Sequence, residues 1–454
     1  MSACAVLHLT PVQGGGADRH VRDLAASGER AHLIWHAADR ADAIESPDGS
    51  IRALDVRAIA KNRAGFARWL AAQRVGLVHL HSVHTPVRLR ATWAARALGV
   101  PTMVTLHDIL FQRRDAFEVG SAPGPDPAWL ALTSPCLANA AAVLAPSRFI
   151  AEAAQRAIPG LDVAVIPNGR TDSPASTALA HPEFRAKHTG RVIAVVGAIG
   201  PHKGSALVRL LSAHLEGADL AVVVIGYLDG EFAPGWRSDR LFIHGPYEDS
   251  DAVALLKAYD ASIALFPNPI PESFSYALSA VWAAGIPALV TPAGALAERV
   301  TRHGGGWMLP EGFGVGDVAR ELRRILGPEG AGDLATVKSR LQQPDPERVP
   351  TTESMRQSVE DLYRRYGVDP RAPIDPESAP VQEFLARQLH SELFRTDLAM
   401  LATDAARAQA ALRVEEARRR SLEEENASLR PRARAFDRLP GFLRRVFLGK
   451  GPDA

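Results

Sequence analysis

The sequence predicts an α/β protein of two consecutive doubly wound, Rossmann-like domains facing a cleft, followed by a helical extension. Three observations predict it. Short apolar runs alternate with longer amphipathic stretches as far as about residue 330; the rhythm breaks once, over 170–190, and restarts; and the composition changes after about residue 368. Runs that are continuously apolar, and not alternating, fit parallel strands covered on both faces. Amphipathic segments between them supply the βαβ rhythm of a doubly wound sheet.

In the first half, the runs CAVLHLT (4–10), AHLIWH (31–36), VGLVHLHS (75–82), PTMVTLHD (101–108), AAVLAPS (141–147) and VAVIPNG (163–169) read as buried strands. GADRHVRDLAAS and PVRLRATWAARALG read as helices between them. These elements make a first domain over 1–170. Small, polar and proline residues then mark an interdomain linker at 171–190. RVIAVVGAIG, DLAVVVIGYL, RLFIHGPY, ASIALFPN and IPALVTP restart the strand series in a second domain, 191–335. Terminal helices of the same body follow over 336–368, the last of them in TTESMRQSVEDLYRRYG (351–367).

A proline-rich linker at 369–381 separates this body from a helix at 382–430. From Leu398 the seam Leu398, Leu401, Ala405, Ala408, Leu412, Glu415, Arg419, Leu422, Asn426, Leu429 alternates spacings of three and four residues. With Leu398 at position a, Asn426 also falls at a, between Leu422 and Leu429 at d. That pattern specifies register in a parallel two-stranded coiled coil, so a homodimer is expected. Pro431 stops the helix. The tail, 431–454, continues a run in which 430–451 carries seven basic residues and one acidic residue beside Phe436, Leu439, Phe442, Leu443, Val446 and Phe447. Basic residues flanking an apolar face suit adsorption to an anionic membrane surface.

Composition narrows the function classes. Among the 454 residues, 52 basic and 51 acidic side chains leave a net charge of +1, which gives no chain-wide attraction to nucleic acid. Two cysteines, Cys4 and Cys136, make no disulfide framework. No signal peptide is read at the N-terminus, no apolar stretch is long enough to span a bilayer, and a cytoplasmic location is expected.

Three segments carry chemistry. In PVQGGGADRHV the run Gly14, Gly15, Gly16 opens a helix, whose backbone N–H groups and dipole favour an anion or hydroxyl in the cleft. It lacks the GxGxxG spacing of a dinucleotide fingerprint. In VVGAIGPHKGSALVRLL, strand, glycine turn with Gly200, Lys203 and helix come in that order; the lysine is placed to neutralise phosphate at the sheet edge. In FPNPIPESFSYALSAVWAAGIP, Glu272 precedes a helix expected from Phe274 to Ala284. Ser273 and Ser275 are available to cap it, which leaves Glu272 to meet a ligand. His79, His81 and His84 mimic the HxH of metal hydrolases, but no matching ligand set follows at strand ends, so no metal is expected. Asp249-Ser250-Asp251 reads as a helix cap.

GGGADRHV, TLHD, APSRFIAE, VIPNG, GAIGPHKG and PESFSYALSAVWAAGIP together resemble, in order and over residues 1 to about 368, the retaining glycosyltransferases of the GT-B fold, family 4. The GAIGPHKG and ESFSYxLS variants are similar to bacterial transferases of O-antigen and other cell-surface polysaccharides. The resemblance implies transfer of a hexose or deoxyhexose from a nucleotide sugar to a saccharide, lipid-linked acceptor included, with no other cofactor. It implies that Lys203 clamps the donor diphosphate and that Glu272 holds the donor sugar. Backbone N–H groups at Phe274, Ser275 and Tyr276 would approach the phosphates, His107 would stand near the transferred sugar, and Gly15 and Gly16 would border acceptor and diphosphate. The family's E-x7-E element calls for a second glutamate at 280, where this chain has Ala280. Losing its hydrogen bonds to the nucleotide ribose would weaken donor binding by about 1.5–3 kcal/mol. The alternative that follows is a degenerate transferase retained as a coiled-coil scaffold or regulator. A nucleotide-sugar epimerase of the same fold is disfavoured by the GGG turn.

Overall fold

In a computed structural model, the described residues are 4–10, 15–26, 30–36, 42–54, 63–83, 89, 91–92, 95–96, 98–116, 124–171, 178–215 and 219–367, and all fall within one compact unit. The expected linker, coiled coil and basic tail after 368, and half of the helix expected at 86–99, lie outside the described residues.

The first sheet is assembled from β1 (Ala5–Thr10), β2 (His32–His36), β3 (Asp42–Glu45), β4 (Ile51–Leu54), β5 (Val75–His81), β6 (Thr102–Thr105), β7 (Ala142–Ala145) and β8 (Ala164–Val165). Its order is β4-β3-β2-β1-β5-β6-β7-β8, eight strands in all. The apolar runs from β1 to β7 become parallel strands, and β1 and β5 are buried along their whole length. The run 163–169, expected as a buried strand, instead pairs only at Ala164–Val165, both exposed because β8 closes the margin of the sheet. The hairpin β3–β4 is an addition to the expected elements. It runs antiparallel along the edge, turned at Ser46–Ser50, where Gly49 takes φ +78° and the Ser50 amide donates to Asp48 Oδ1 at 2.9 Å. Its charged residues suit a sheet margin.

The second sheet contains β9 (Arg191–Ile199), β10 (Leu220–Leu228), β11 (Gly235–Ser238), β12 (Leu241–Gly245), β13 (Ala261–Phe266), β14 (Ala288–Val290) and β15 (Gly306–Met308). The order β11-β12-β10-β9-β13-β14-β15 reverses direction beside β9, and only β11 runs antiparallel. Separate apolar cores cover its two faces, one around Phe242, Tyr259, Trp282 and Val281, the other around Ile193, Val224, Leu265 and Leu322.

The last described helix, Thr352–Tyr366, is capped by Thr351 and returns to the first sheet. Met355, Val359 and Tyr363 pack there against Val6, Leu77, Met103 and Leu144. Arg30 pairs with Glu360 and fixes that seat. Among the described residues, no helix is long and apolar enough to cross a membrane. Together the two sheets form the GT-B arrangement of two Rossmann-like halves.

Candidate functional site

Parallel sheets bind ligands at the carboxyl ends of their strands, and both sheets present those ends to one cavity of about 500 Å³. Of the residues singled out above, Gly15, Gly16, His107, Lys203, Glu272, Phe274, Ser275 and Tyr276 all line it. Gly200 stands one step back: its carbonyl accepts from the Lys203 and Ser205 amides and closes the turn that carries the lysine.

The second-sheet wall is built from two turns held against each other. After β9 a single 3-10 turn, Pro201–Lys203, ends at Gly204 with φ +82°. A Cβ at Gly204 would stand 2.3 Å from the carbonyl oxygen of Pro267, so only glycine allows this approach to the loop after β13. The approach sets Lys203 Nζ 3.7 Å from Glu272 Oε1, while Asn268 donates to the same oxygen at 3.0 Å. A side cavity of about 160 Å³ adjoins the pair, lined in part by His202, Lys203, Asn268 and Glu272. Burial and the Lys203 charge both lower the His202 pKa, so its ring is held neutral there.

The helix expected from Phe274 begins instead at Tyr276 and runs to Ala283. Ser275 takes φ +74°, a conformation rare for a residue with a side chain, and its hydroxyl accepts from the Leu278 amide at 3.3 Å. Ser275 therefore supplies the cap, and Glu272 is left to the cavity, as the sequence suggests. Arg299 holds the strained turn. Its Nη1 donates to the carbonyls of Phe274 (3.1 Å) and Ser275 (2.9 Å), and its Nη2 to Ser279 Oγ and to the Arg348 carbonyl, both at 2.9 Å. The guanidinium lies 4.3 Å from the Phe274 ring centre and 5.0 Å from that of Trp282. Because C=O and N–H point opposite ways across a trans peptide, tying both carbonyls inward turns the Ser275 and Tyr276 amides away from Arg299. Burial of this arginine, without a carboxylate bonded to it, pulls its pKa down to about 9. In the sequence Arg299 reads as one more charged residue of an amphipathic helix; nothing local marks it.

The first-sheet wall carries Gly15, Gly16, His107, Asp108 and Asn168. A Cβ on Gly16 would come within 3.4 Å of the Tyr276 ring, so the glycine turn lies close against the opposite wall. Arg19 stacks 4.5 Å from the Tyr276 ring centre and donates to Asp249 at 3.0 Å. Asp249 thus serves a contact between the halves. The Asp251 side chain makes no capping bond to the helix Ala252–Ala258, contrary to the expected cap. Asp108 accepts from Ser82 at 2.7 Å and from the Leu110 amide at 2.9 Å.

Beneath that wall is a cluster the linear spacing does not reveal. His107 Nε2 lies 3.1 Å from His81 Nδ1, His81 Nε2 2.9 Å from His8 Nδ1, and His8 Nε2 2.8 Å from His32 Nδ1. His79 meets the Tyr363 hydroxyl at 2.6 Å and Thr105 at 2.8 Å, and His20 packs over His81 and His107. Burial first, then mutual repulsion, holds His8 and His81 well below the usual imidazole range. His84 lies outside the described residues. Cys136 is buried, which pushes its thiol up to about 12; Cys4 is half-buried.

Residues 15–169 match the family described as Glycosyl transferase 4-like domain. No curated protein matches the chain in sequence. Among solved structures, sucrose-phosphate synthase from Thermosynechococcus elongatus aligns at 17% identity over 80% of this chain and 98% of that one, with a TM-score of 0.57. HepE of Anabaena in complex with UDP aligns at 15% identity over 80% and 100%, with a TM-score of 0.58, and HepE is also solved with UDP-glucose. The lipopolysaccharide outer core galactosyltransferase WaaB, in its apo form, aligns at 14% identity over 80% and 99%, with a TM-score of 0.50. The domain match and the shared architecture support a glycosyltransferase of the GT-B kind.

Proposed function

We propose that this chain moves a hexose or deoxyhexose from a nucleotide sugar to a saccharide acceptor with retention of anomeric configuration. One observation carries the reading. Lys203, Glu272, Ser275 and Tyr276 line the same cavity as Gly15, Gly16 and His107 from the other half. The UDP and UDP-glucose complexes of HepE, on the same fold, suit such a donor.

Lys203 and the amides at the start of the helix Tyr276–Ala283 take up the negative charge that grows on the diphosphate as the glycosidic bond lengthens. Glu272, held by Lys203 and Asn268, accepts hydrogen bonds from donor sugar hydroxyls. The acceptor hydroxyl enters from the Gly15–Gly16 and His107 side. Its oxygen bonds to the anomeric carbon on the face from which the diphosphate leaves, and its proton passes to a diphosphate oxygen. The protein supplies orientation and electrostatic stabilisation, and neither needs a covalent intermediate.

The setting we infer is surface-polysaccharide assembly, O-antigen included, at the cytoplasmic face of the membrane. The basic apolar tail would seat the chain beside a lipid-linked acceptor, and the coiled coil would pair two copies. Deleting 376–454 then lowers the association state in sedimentation and abolishes binding to anionic vesicles. A truncated chain that sediments and binds like the full one removes both assignments.

A panel of nucleotide sugars, followed by thermal shift and slow donor hydrolysis, tests the activity. One donor that raises the melting temperature and is turned over identifies the sugar. Silence across the panel, in folded protein, transfers the reading to the scaffold alternative, which Ala280 favours.

A further inference from the structure

We propose that His20, His81 and His107 form a binding site for a divalent transition-metal ion of the zinc class, at the floor of the cleft. One nitrogen from each of these rings lies within 4.8 Å of the others. The His81–His107 pair, at 3.1 Å, already has about the edge length of a tetrahedral zinc–imidazole site.

His20 is the observation that a hydrogen-bonded network leaves unexplained. It is 2% exposed, and neither of its ring nitrogens has a hydrogen-bond partner. Its ring stands 4.7 Å from that of His107 and 5.6 Å from that of His81, centre to centre. A cation between the three rings gives this orphaned imidazole a partner.

The surroundings fit a ligand set. A metal-bound histidine donates its other N–H to a fixed acceptor, which sets tautomer and orientation. His81 has such an acceptor: Nε2 meets His8 Nδ1 at 2.9 Å, and His8 in turn meets His32 at 2.8 Å. In the tautomers in which His81 Nε2 and His8 Nε2 are the donors, the Nδ1 lone pair of His81 faces His107. Asn168, whose Oδ1 is buried and without a hydrogen-bond partner, stands beside His20, where it can accept from the ring nitrogen that does not ligate. The neighbouring set His8, His79 and His81 also brings its nitrogens together, but it is enclosed, and both nitrogens of His79 are taken by Tyr363 and Thr105. His107 by contrast is half-buried and lines the cavity, so a fourth coordination position opens toward an oxygen ligand in the cleft.

The test uses the full-length, tag-free chain, stripped with chelator and titrated with cobalt(II) and then zinc(II). One equivalent of cobalt per chain is expected, with the visible d–d bands of a four-coordinate site, bleached when zinc displaces it. His20→Ala and His107→Ala should each weaken binding at least ~10-fold, whereas His244→Gln, in the other half, leaves it unchanged. A chain that holds no metal after titration overturns the proposal, as does wild-type affinity in a folded His20→Ala chain; the cluster is then a hydrogen-bonded network only. Should the variants fail to fold, X-ray absorption on the zinc-loaded wild type decides. Imidazole scattering from three rings at roughly 2.0–2.1 Å supports the site, and an oxygen-dominated shell overturns it. None of these readouts depends on sugar transfer, so the site and the proposed activity stand or fall separately.

Discussion

On the second-sheet wall of the cleft, the polar groups are few and each is held by a dedicated partner: Lys203 by the Gly204 turn, Glu272 by Asn268, and the 274–275 peptides by Arg299. On the first-sheet wall, imidazoles bond to one another down into the sheet. The second sheet is covered on both faces by apolar cores; the first carries histidines on β1, β2 and β5 within its core. The same architecture thus supports two kinds of preorganisation. One fixes charges and amide dipoles for a charged group; the other offers lone pairs that water cannot reach.

The largest test of that contrast is Glu272→Ala. With the carboxylate on the donor wall, transfer should fall roughly 10²–10³-fold while the melting curve stays in place. Unchanged turnover would move the chemistry off that wall. Arg299→Met comes next. It leaves the buried carbonyls of Phe274, Ser275 and Arg348 without a donor, and stability in urea should drop by about 3 kcal/mol. A smaller loss would show that the Ser275 turn holds its own shape.

The imidazole wall is tested by pH. Burial, and then the Arg30 charge, lower the His32 pKa from 6.5 to about 4. Below pH 6.5 the unfolded chain takes up a proton that the folded chain refuses. The contribution is therefore complete above 6.5, is lost as pH falls to about 4, and is flat below that; His32 alone accounts for roughly 3 kcal/mol. His32→Gln should flatten that stretch of the stability curve, and a curve of unchanged slope would show that His32 is not held neutral. The smallest effect is expected from Arg19→Ala. Asp249 is well exposed, so this contact between the walls is worth no more than about 1 kcal/mol. A larger shift in melting temperature would show that the glycine turn depends on it.

The buried strands were legible because their residues are apolar on both faces, as at Val6, Leu7, Leu77 and Val78. The hairpin β3–β4 was not, since Asp42, Glu45 and Arg52 make an edge strand look like a loop. Lys203 and Glu272 were legible from their turns, because glycine and proline mark where the chain must bend. The histidine cluster was not. His8 and His79 become neighbours only through the pairing of β1 with β5, and His107 and His20 arrive from a loop and a helix. Nor was Arg299, whose partners are backbone carbonyls that carry no residue identity.

Arg299 has a neighbour with a different task. On the helix Gly294–His303, Glu298 reaches across to the other half and accepts from the Arg148 and Phe149 amides, at 3.1 and 2.8 Å, at the start of the helix Arg148–Ala157. Adjacent residues on one helix therefore grip the opposite half of the molecule and the Phe274–Ser275 turn that lines the cavity. A ligand that binds one spacing of the two halves more tightly than another would therefore draw on both grips, and the spacing would set its affinity by the same free energy.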